Sequence, residues 1–253
     1  IAIRKADRVI LAGDHCQLPP TIKCMEAARS GLDRTLMEKV VMNKQEAVSL
    51  LKIQYRMHRS IMQFPSAWFY QGELEAAPEI SHRGILELDT PINWIDTSEM
   101  DFHEEFVGES FGRINKPEAN LLLQELENYI RKIGENRVAE ECIDFGLISP
   151  YKAQVQYLRN KIKGNPFFRP YRSRITVNTV DGFQGQERDV IFISWVRANE
   201  NGQIGFLNDL RRMNVAITRA RMKLVILGDA TTMSKHAFYR KLIEYINGLR
   251  QNS

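Results

Sequence analysis

The stretch Asp189-Val-Ile-Phe-Ile-Ser-Trp-Val196 most limits what this chain can fold into. It is of strand length, rich in β-branched and aromatic side chains, and apolar on both faces. Such a strand needs cover on both sides of its sheet. Residues 8–12, 47–54, 144–148, 175–179 and 223–228 read as further strands, with shorter ones at 84–88 and 93–96. Helical patterns fall between them. Residues 28–41 space Leu32, Leu36 and Val40 by four, and residues 60–70 form an aromatic-rich helix or turn. Asn115-Lys-Pro-Glu118 is a helix start, with an Asn cap, an early Pro and Glu three residues on. That helix runs to about residue 133. Another carries Val155, Leu158 and Ile162, and a last one spans about 231–249. Strands alternating with helices predict an α/β fold with a mostly parallel sheet and helices on both faces. Residues 98–112, with Asp101, Glu104, Glu105 and Glu109, read as an exposed loop.

With 253 residues the chain can hold one large domain or two small ones. Its net charge of +4 is compatible with a polyanion partner and does not prove one. No apolar run is long enough to cross a bilayer, so no membrane partner is expected. The start, Ile1-Ala-Ile-Arg-Lys5, has neither a signal-peptide pattern nor an initiator Met, which suggests a fragment of a longer chain. Cys16, Cys24 and Cys142 are odd in number and widely spaced, which predicts a reduced, cytoplasmic setting.

Several polar residues stand where strands end. Gly13-Asp14-His-Cys-Gln17-Leu-Pro-Pro20 follows the first strand, and ligands of α/β sheets bind at strand ends. An ordinary Gly/Asp/Pro loop is the other reading. Tyr55-Arg56-Met57-His58 follows the second strand, and Arg56 could reach a ligand or be a surface charge. Phe64, Trp68 and Phe69 read as core rings. The long apolar strand is preceded by Thr179-Val-Asp-Gly-Phe-Gln-Gly-Gln-Glu-Arg188 and followed by Asp209-Leu-Arg-Arg-Met-Asn-Val-Ala-Ile-Thr-Arg-Ala-Arg221. Glycine turns let backbone approach an anion, and arginine forks grip phosphate oxygens. Helical periodicity puts Leu210, Met213, Ile217 and Ala220 on one face, with Arg212 and Arg219 on the other. Either half alone could be a tight turn or a solvated arginine face.

Taken in order, these blocks resemble the second half of a superfamily 1 helicase motor, in the branch of the nonsense-mediated-decay RNA helicase and related DNA helicases. Residues 13–20 are similar to motif III. Gln54-Tyr-Arg-Met57 with Phe64-Pro65 is similar to motif IV, residues 180–187 to motif V and residues 211–221 to motif VI. Val196-Arg-Ala-Asn-Glu200 and Gly205-Phe-Leu-Asn208 also match that branch. The resemblance covers about residues 8–249. It implies RecA-like P-loop NTPase architecture, with residues 1–45 the end of a first RecA-like domain and 46–253 a second. The chain departs from the pattern in holding no Gly-x-x-x-x-Gly-Lys-Ser/Thr and no Asp-Glu pair before Gly13. The magnesium ligands and the water-activating carboxylate are therefore expected in a missing N-terminal part.

The resemblance also implies roles. ATP with Mg2+ would sit between two RecA-like domains, the N-terminal one supplied by the same parent chain. Gln17 would sense the γ-phosphate and the attacking water, and Arg56 and Arg219 would be arginine fingers. Glu187 would meet the ribose, Tyr55 would flank the adenine, and Gly185 would lie in the nucleotide-facing turn. Asp14 would couple the ATP site to the domain interface. A single strand of DNA or RNA would cross Ser149, Pro150, Asn178 and Thr179, moved in the five-to-three-prime direction. The fragment alone would be inactive as an ATPase. A non-catalytic nucleic-acid-binding RecA-like module is the alternative.

Overall fold

The computed structural model describes residues 5–19, 24–32 and 34–251. It divides into two compact units, Ile1–Leu51 and Lys52–Ser253.

The described part of the first unit holds helical turns and no strand. Helical turns over Met25–Ala27 and Ala28–Leu32 are interrupted at Gly31, whose φ is 86°. A helix then spans Leu36–Asn43. The Thr35 hydroxyl starts it by accepting from the Glu38 N–H at 3.0 Å, the first half of a capping box. The helix expected over 28–41 is thus broken by the left-handed glycine. The strand expected at 8–12 does not form, and Ile10 is 95% exposed. A parallel strand needs neighbours for its N–H and C=O groups, and no described residue of this unit offers one.

The second unit contains nine strands among its described residues. β1 (Ile53–Gln54) pairs in parallel with β2 (Glu75–Ala76) as a small separate sheet. β4 (Glu105–Gly108) and β5 (Gly112–Ile114) form an antiparallel hairpin. The remaining five make one parallel sheet: β3 (Ile92–Asp96), β6 (Phe145–Ser149), β7 (Ile175–Thr179), β8 (Arg188–Ser194) and β9 (Ala220–Gly228). Their spatial order is β3-β9-β8-β6-β7. Side chains alternate along each strand, so the sheet has two apolar faces. Phe145, Leu147, Val190, Phe192, Val225 and Leu227 pack under the helices Lys116–Ile133 and Lys152–Gly164. The opposite face carries Ile92, Trp94, Leu224 and Ile226 and meets the helices Leu210–Ile217 and Ala237–Gln251. There Trp94 lies 4.4 Å from Trp195, which in turn meets Tyr239 at 4.7 Å. The fold is α/β and RecA-like, with helices on both faces of a parallel sheet.

Several expectations need correction. Of residues 47–54 only Ile53 and Gln54 pair, because β2 offers two residues, and Leu51 stays 87% exposed. Residues 84–88 are turns rather than a strand, with Leu88 at φ 58° and facing solvent. The loop expected over 98–112 contains the β4–β5 hairpin, whose acidic residues hid a strand pattern. The final helix is preceded by a separate short one, Ala230–Met233. Phe64 is core, in ring contact with Phe238 at 5.2 Å, whereas Trp68 is 39% exposed.

One glycine positions the glycine-rich segment after β7. The short helix Val180–Phe183 lies back across the sheet, carrying the chain from the end of β7 to the start of β8. A Cβ on Gly146 of β6 would fall 2.9 Å from the Phe183 ring and 2.5 Å from Ile191. Only glycine lets that segment sit flat on the strands.

Beyond β8 the backbone is strained. Val196 has φ 70°, and the Arg197 N–H donates to the Trp195 carbonyl at 2.7 Å, closing a γ-type turn. Buried polar groups hold it. The Val196 N–H donates to Glu118 Oε1 at 2.9 Å, and Asn115 Nδ2 donates to the Val196 carbonyl at 3.2 Å. The Ser194 hydroxyl also donates to Glu118 Oε1, and Gln154 Nε2 donates to Ser194. Glu118 is fully buried and its Oε2 has no hydrogen-bond partner.

Burial pushes the Glu118 carboxyl up to about 7, against the bonds from Ser194 and Val196 that favour its charged form. Its native pKa lies above the ordinary value of 4.5, so the native state binds the proton more tightly. The resulting stability is full below pH 4.5 and is lost as pH rises through about 7. Glu118→Gln keeps the accepting oxygen and removes the titration. Denaturant unfolding should show this variant gaining on the parent as pH rises through that window and levelling off above it. A stability difference that does not change with pH would contradict the assignment.

Candidate functional site

The site forms at the amino-terminal edge of the large sheet, where β8 and β9 begin. Three sequence-distant segments meet there. The first is the turn after β1. Gln54 shapes it, its Oε1 accepting from the Arg56 N–H at 2.9 Å and the Met57 N–H at 2.7 Å, while its Nε2 donates to the Met57 carbonyl at 2.8 Å. The His58 N–H then donates to the Arg221 carbonyl at 2.8 Å, tying the turn to β9. His58 also caps the helix Arg59–Phe69, its Nδ1 accepting from the Ser60 N–H at 3.0 Å. Burial, with His82 beside it, lowers the His58 pKa to about 4, which keeps that nitrogen an acceptor.

The second segment, residues 184–189, delivers Glu187. The third, residues 218–221, delivers two arginines. Arg56 Nε donates to Glu187 Oε2, and Arg56 Nη1 donates to the Thr218 carbonyl at 3.1 Å. Arg221 Nε donates to Glu187 Oε1 at 3.0 Å and its Nη1 to Asp189 Oδ1 at 3.2 Å. The Glu187 carboxylate is therefore held between two guanidinium groups. Burial alone would raise its pKa, but the bonds and charges of Arg56 and Arg221 outweigh burial and hold it below the usual carboxylate range.

Arg219 is 2% exposed. Its Nε donates to the Val215 carbonyl at 3.1 Å and its Nη1 to the Gln186 carbonyl at 3.0 Å. The helix Leu210–Ile217 ends before it, so Arg219 is not on the polar helix face that periodicity gave, and Ala220 opens β9. Thr218 turns the chain there, its hydroxyl donating to the Asn214 carbonyl at 2.7 Å. Gly185 has φ 80°, the left-handed turn that suits glycine, with open space where a side chain would be. Tyr55 is 66% exposed beside the Arg56 turn.

The structure thus brings Arg56, Glu187 and Arg219 together, with Gly185 in the adjoining turn. Asp14 and Gln17 belong to the first unit, where Gln17 Nε2 donates to Asp14 Oδ2 at 2.8 Å. Ser149, Asn178 and Thr179 lie at the opposite, carboxyl edge, at the ends of β6 and β7. Ser149 is buried, so its hydroxyl does not reach the surface. Asn178 and Thr179 organise the turn that follows. The Thr179 hydroxyl accepts from the Gly182 N–H at 3.3 Å, and Asn178 Nδ2 donates to the Gly182 carbonyl at 3.2 Å. Pro150 is half-buried beside them.

Sequence reasoning missed Arg221 and Gln54 as parts of the site. Arg221 sits two residues past Arg219, just inside β9, and the Arg-x-Arg spacing is its signal. Gln54 opens the block similar to motif IV, but that match says nothing of the local backbone bonds by which it shapes the turn.

The arginine forks suit phosphate oxygens. Among the described residues, the one cluster with three metal-ligand side chains is Asp14, His15 and Cys16. Burial, with Asp14 beside it, pushes the Cys16 thiol up to about 11. Of that set only Asp14 offers an oxygen ligand of the kind magnesium prefers. No described helix is long and apolar enough to cross a membrane.

Comparison with known proteins agrees with this arrangement of motifs. A family described as AAA domain matches residues 32–231. The chain is 34% identical over 255 aligned residues to DNA-binding protein SMUBP-2 of Mesocricetus auratus, covering 97% of this chain and 25% of that protein. It is 38% identical to the regulator of nonsense transcripts 1 homolog of Arabidopsis thaliana, covering 94% of this chain and 19% of the relative. It is 35% identical to an uncharacterized ATP-dependent helicase of Methanocaldococcus jannaschii, covering 99% and 36%. The chain therefore spans between a fifth and about a third of the length of these relatives.

The Glu187 clamp carries a testable consequence. Its native pKa is depressed, so its stabilisation is present above the ordinary pKa of 4.5 and fades as pH falls through the lower native value. Glu187→Gln should cost about 1 kcal/mol or less at neutral pH, since the group is a third exposed and screened by solvent. The loss should shrink as the buffer is acidified below 4.5. Thermal melts at neutral and acid pH would check it, and a cost that grows on acidification would refute the clamp.

Proposed function

The chain belongs to the AAA-domain family, in the superfamily 1 helicase branch that includes the nonsense-transcript regulators, and from that premise we propose that it is the C-terminal motor half of an ATP-dependent helicase. In this reading residues 46–253 form a second RecA-like domain and residues 1–45 end the first. The partner is the N-terminal RecA-like domain of the same parent, which supplies the magnesium ligands. The substrate is a single strand of DNA or RNA, moved in the five-to-three-prime direction inside the cell.

One observation carries the proposal. Arg56, Glu187 and Arg219 arrive from three distant segments and converge on one edge of the sheet. Phosphoryl transfer is catalysed mainly by positioning and by neutralising charge that grows on the γ-phosphate. Two planar guanidinium forks meet that need, Arg56 half-buried and Arg219 buried. Both are held by acceptors within the chain, Arg56 by Glu187 and Arg219 by backbone carbonyls. A phosphate reaching them must exchange for those acceptors, so the grips tie ATP binding to rearrangement of the edge. Gln17, with Asp14 bonded to it, is the γ-phosphate sensor in this reading. Tyr55 flanks the adenine, Glu187 meets the ribose once released from its arginines, and Gly185 lets backbone approach the nucleotide. At the opposite edge, Pro150, Asn178 and Thr179 bound the path of the strand. Residues 180–187 run between the two edges and join them mechanically. When bound, magnesium ATP supplies the transferable phosphoryl group.

Without a phosphate-cradling loop in its sequence, this chain by itself should not hydrolyse ATP. In the longer parent protein, Arg56→Ala and Arg219→Ala should each lower nucleic-acid-stimulated kcat on the order of a thousandfold or more, with ATP affinity far less affected. Lysine at either position should rescue little. Steady-state phosphate release with a parallel melt measures this. A well-folded variant with near-normal kcat would remove that arginine from the mechanism. Two such variants, with strand binding intact, would turn the reading to a non-catalytic binding module.

A further inference from the structure

Phe206 lies at the carboxyl edge of the sheet and is 56% exposed, although Ile204 and Leu207 beside it are buried. Single exposed apolar side chains are ordinary on protein surfaces. This one stands on a fixed support. It belongs to the turn Gly205–Asn208, whose first residue is left-handed at φ 58°. Gly205 sits so close over the interior that a Cβ would lie 2.7 Å from the Tyr151 hydroxyl and 3.0 Å from the Arg197 guanidinium. Arg197 is 4% exposed and ion-paired to Glu104 at 2.9 Å. The Tyr239 hydroxyl donates to the Leu207 carbonyl at the turn's other end. The Phe206 ring meets the buried Tyr151 ring at 5.6 Å. A left-handed glycine, a buried ion pair and a buried tyrosine thus hold a solvent-facing ring in one place.

One guanidinium stands beside the ring, paired with two carboxylates. The Arg212 guanidinium lies 5.7 Å from the ring centroid. Asp209 anchors it at 3.2 Å, and Asp181, two residues past Thr179, stands 3.8 Å away. Tyr151 in turn follows Pro150 directly. Phe206 therefore touches the residue after Pro150 directly, and through Arg212 it neighbours the segment that follows Thr179. We propose that Phe206 is a base-stacking site for an unpaired nucleotide of that strand, with Arg212 placing positive charge beside the stacked base. Every base offers a π-face, so DNA and RNA are both accepted and base preference is small. The proposal rests on the assignment of this edge to a single strand.

The test uses the full chain and fluorescence anisotropy with three labelled strands of equal length: thymidine, uridine and abasic. Phe206→Ala should weaken binding of the thymidine and uridine strands about tenfold, as expected for loss of one aromatic stack. The salt dependence should stay unchanged, because no charge is removed. The abasic strand should bind the parent and Phe206→Ala alike. Phe206→Trp should keep affinity and show fluorescence quenching on binding either base-containing strand, which also decides the matter if the alanine variant misfolds. Equal affinity of parent and Phe206→Ala for base-containing strands, or an unquenched tryptophan, overturns the stacking site and leaves the strand assignment standing; a protein-docking ring would give that result. A cooperatively folded parent that binds none of the strands overturns the strand assignment and the stacking site together.

Discussion

Burial of β8 on both faces is the constraint on which the second unit depends. Val190, Ile191, Phe192 and Ile193 are all essentially without solvent contact. A strand apolar on both sides cannot lie at a surface, so helices must cover each face and crossovers must run over them. With β8 central, its two ends become the two working edges of the sheet. Everything chemical in the unit is attached to one or the other.

At the amino-terminal edge the governing interaction is electrostatic. Glu187 accepts from Arg56 and Arg221 at once, and Arg221 is shared with Asp189. Like charges brought this close repel, so the carboxylates are what permit the guanidinium groups to gather. Arg219 is held differently, by the Val215 carbonyl near the end of the helix Leu210–Ile217 and by the Gln186 carbonyl in the turn before β8. A helix end leaves carbonyls without helical partners, and the buried arginine satisfies the one at Val215.

At the carboxyl edge the theme is rigidity in irregular backbone. Val196 turns left-handed straight after β8, braced by Glu118 and Asn115. Arg197 and Tyr151 then support the turn that carries Phe206. Buried polar groups of this kind stabilise only when their partners are in place, and the strain they hold down marks an edge selected for shape. Residues 180–187 connect this edge to the arginine-rich one along a path that Gly146 leaves open.

The sequence by itself determined the α/β class, strands expected at 144–148, 175–179 and 189–196 and found within two residues of those bounds, the Asn115-capped helix, and the four motif blocks with their family. Each depends on local signals: period, capping residues, or a fixed run of residue types. Tertiary structure alone decided which of those residues meet. Residues 8–12 and 47–51 have strand composition yet lack pairing partners, because a strand exists only with a neighbour. Arg219 left the helix face since helix ends depend on cap and context rather than on period. The clamp on Glu187 joins residues more than a hundred positions apart, and no local pattern carries that information. Only the sheet order β3-β9-β8-β6-β7 sets Glu187 beside Arg221 and sends Ser149 to the far edge, because register and strand order come from packing both faces at once.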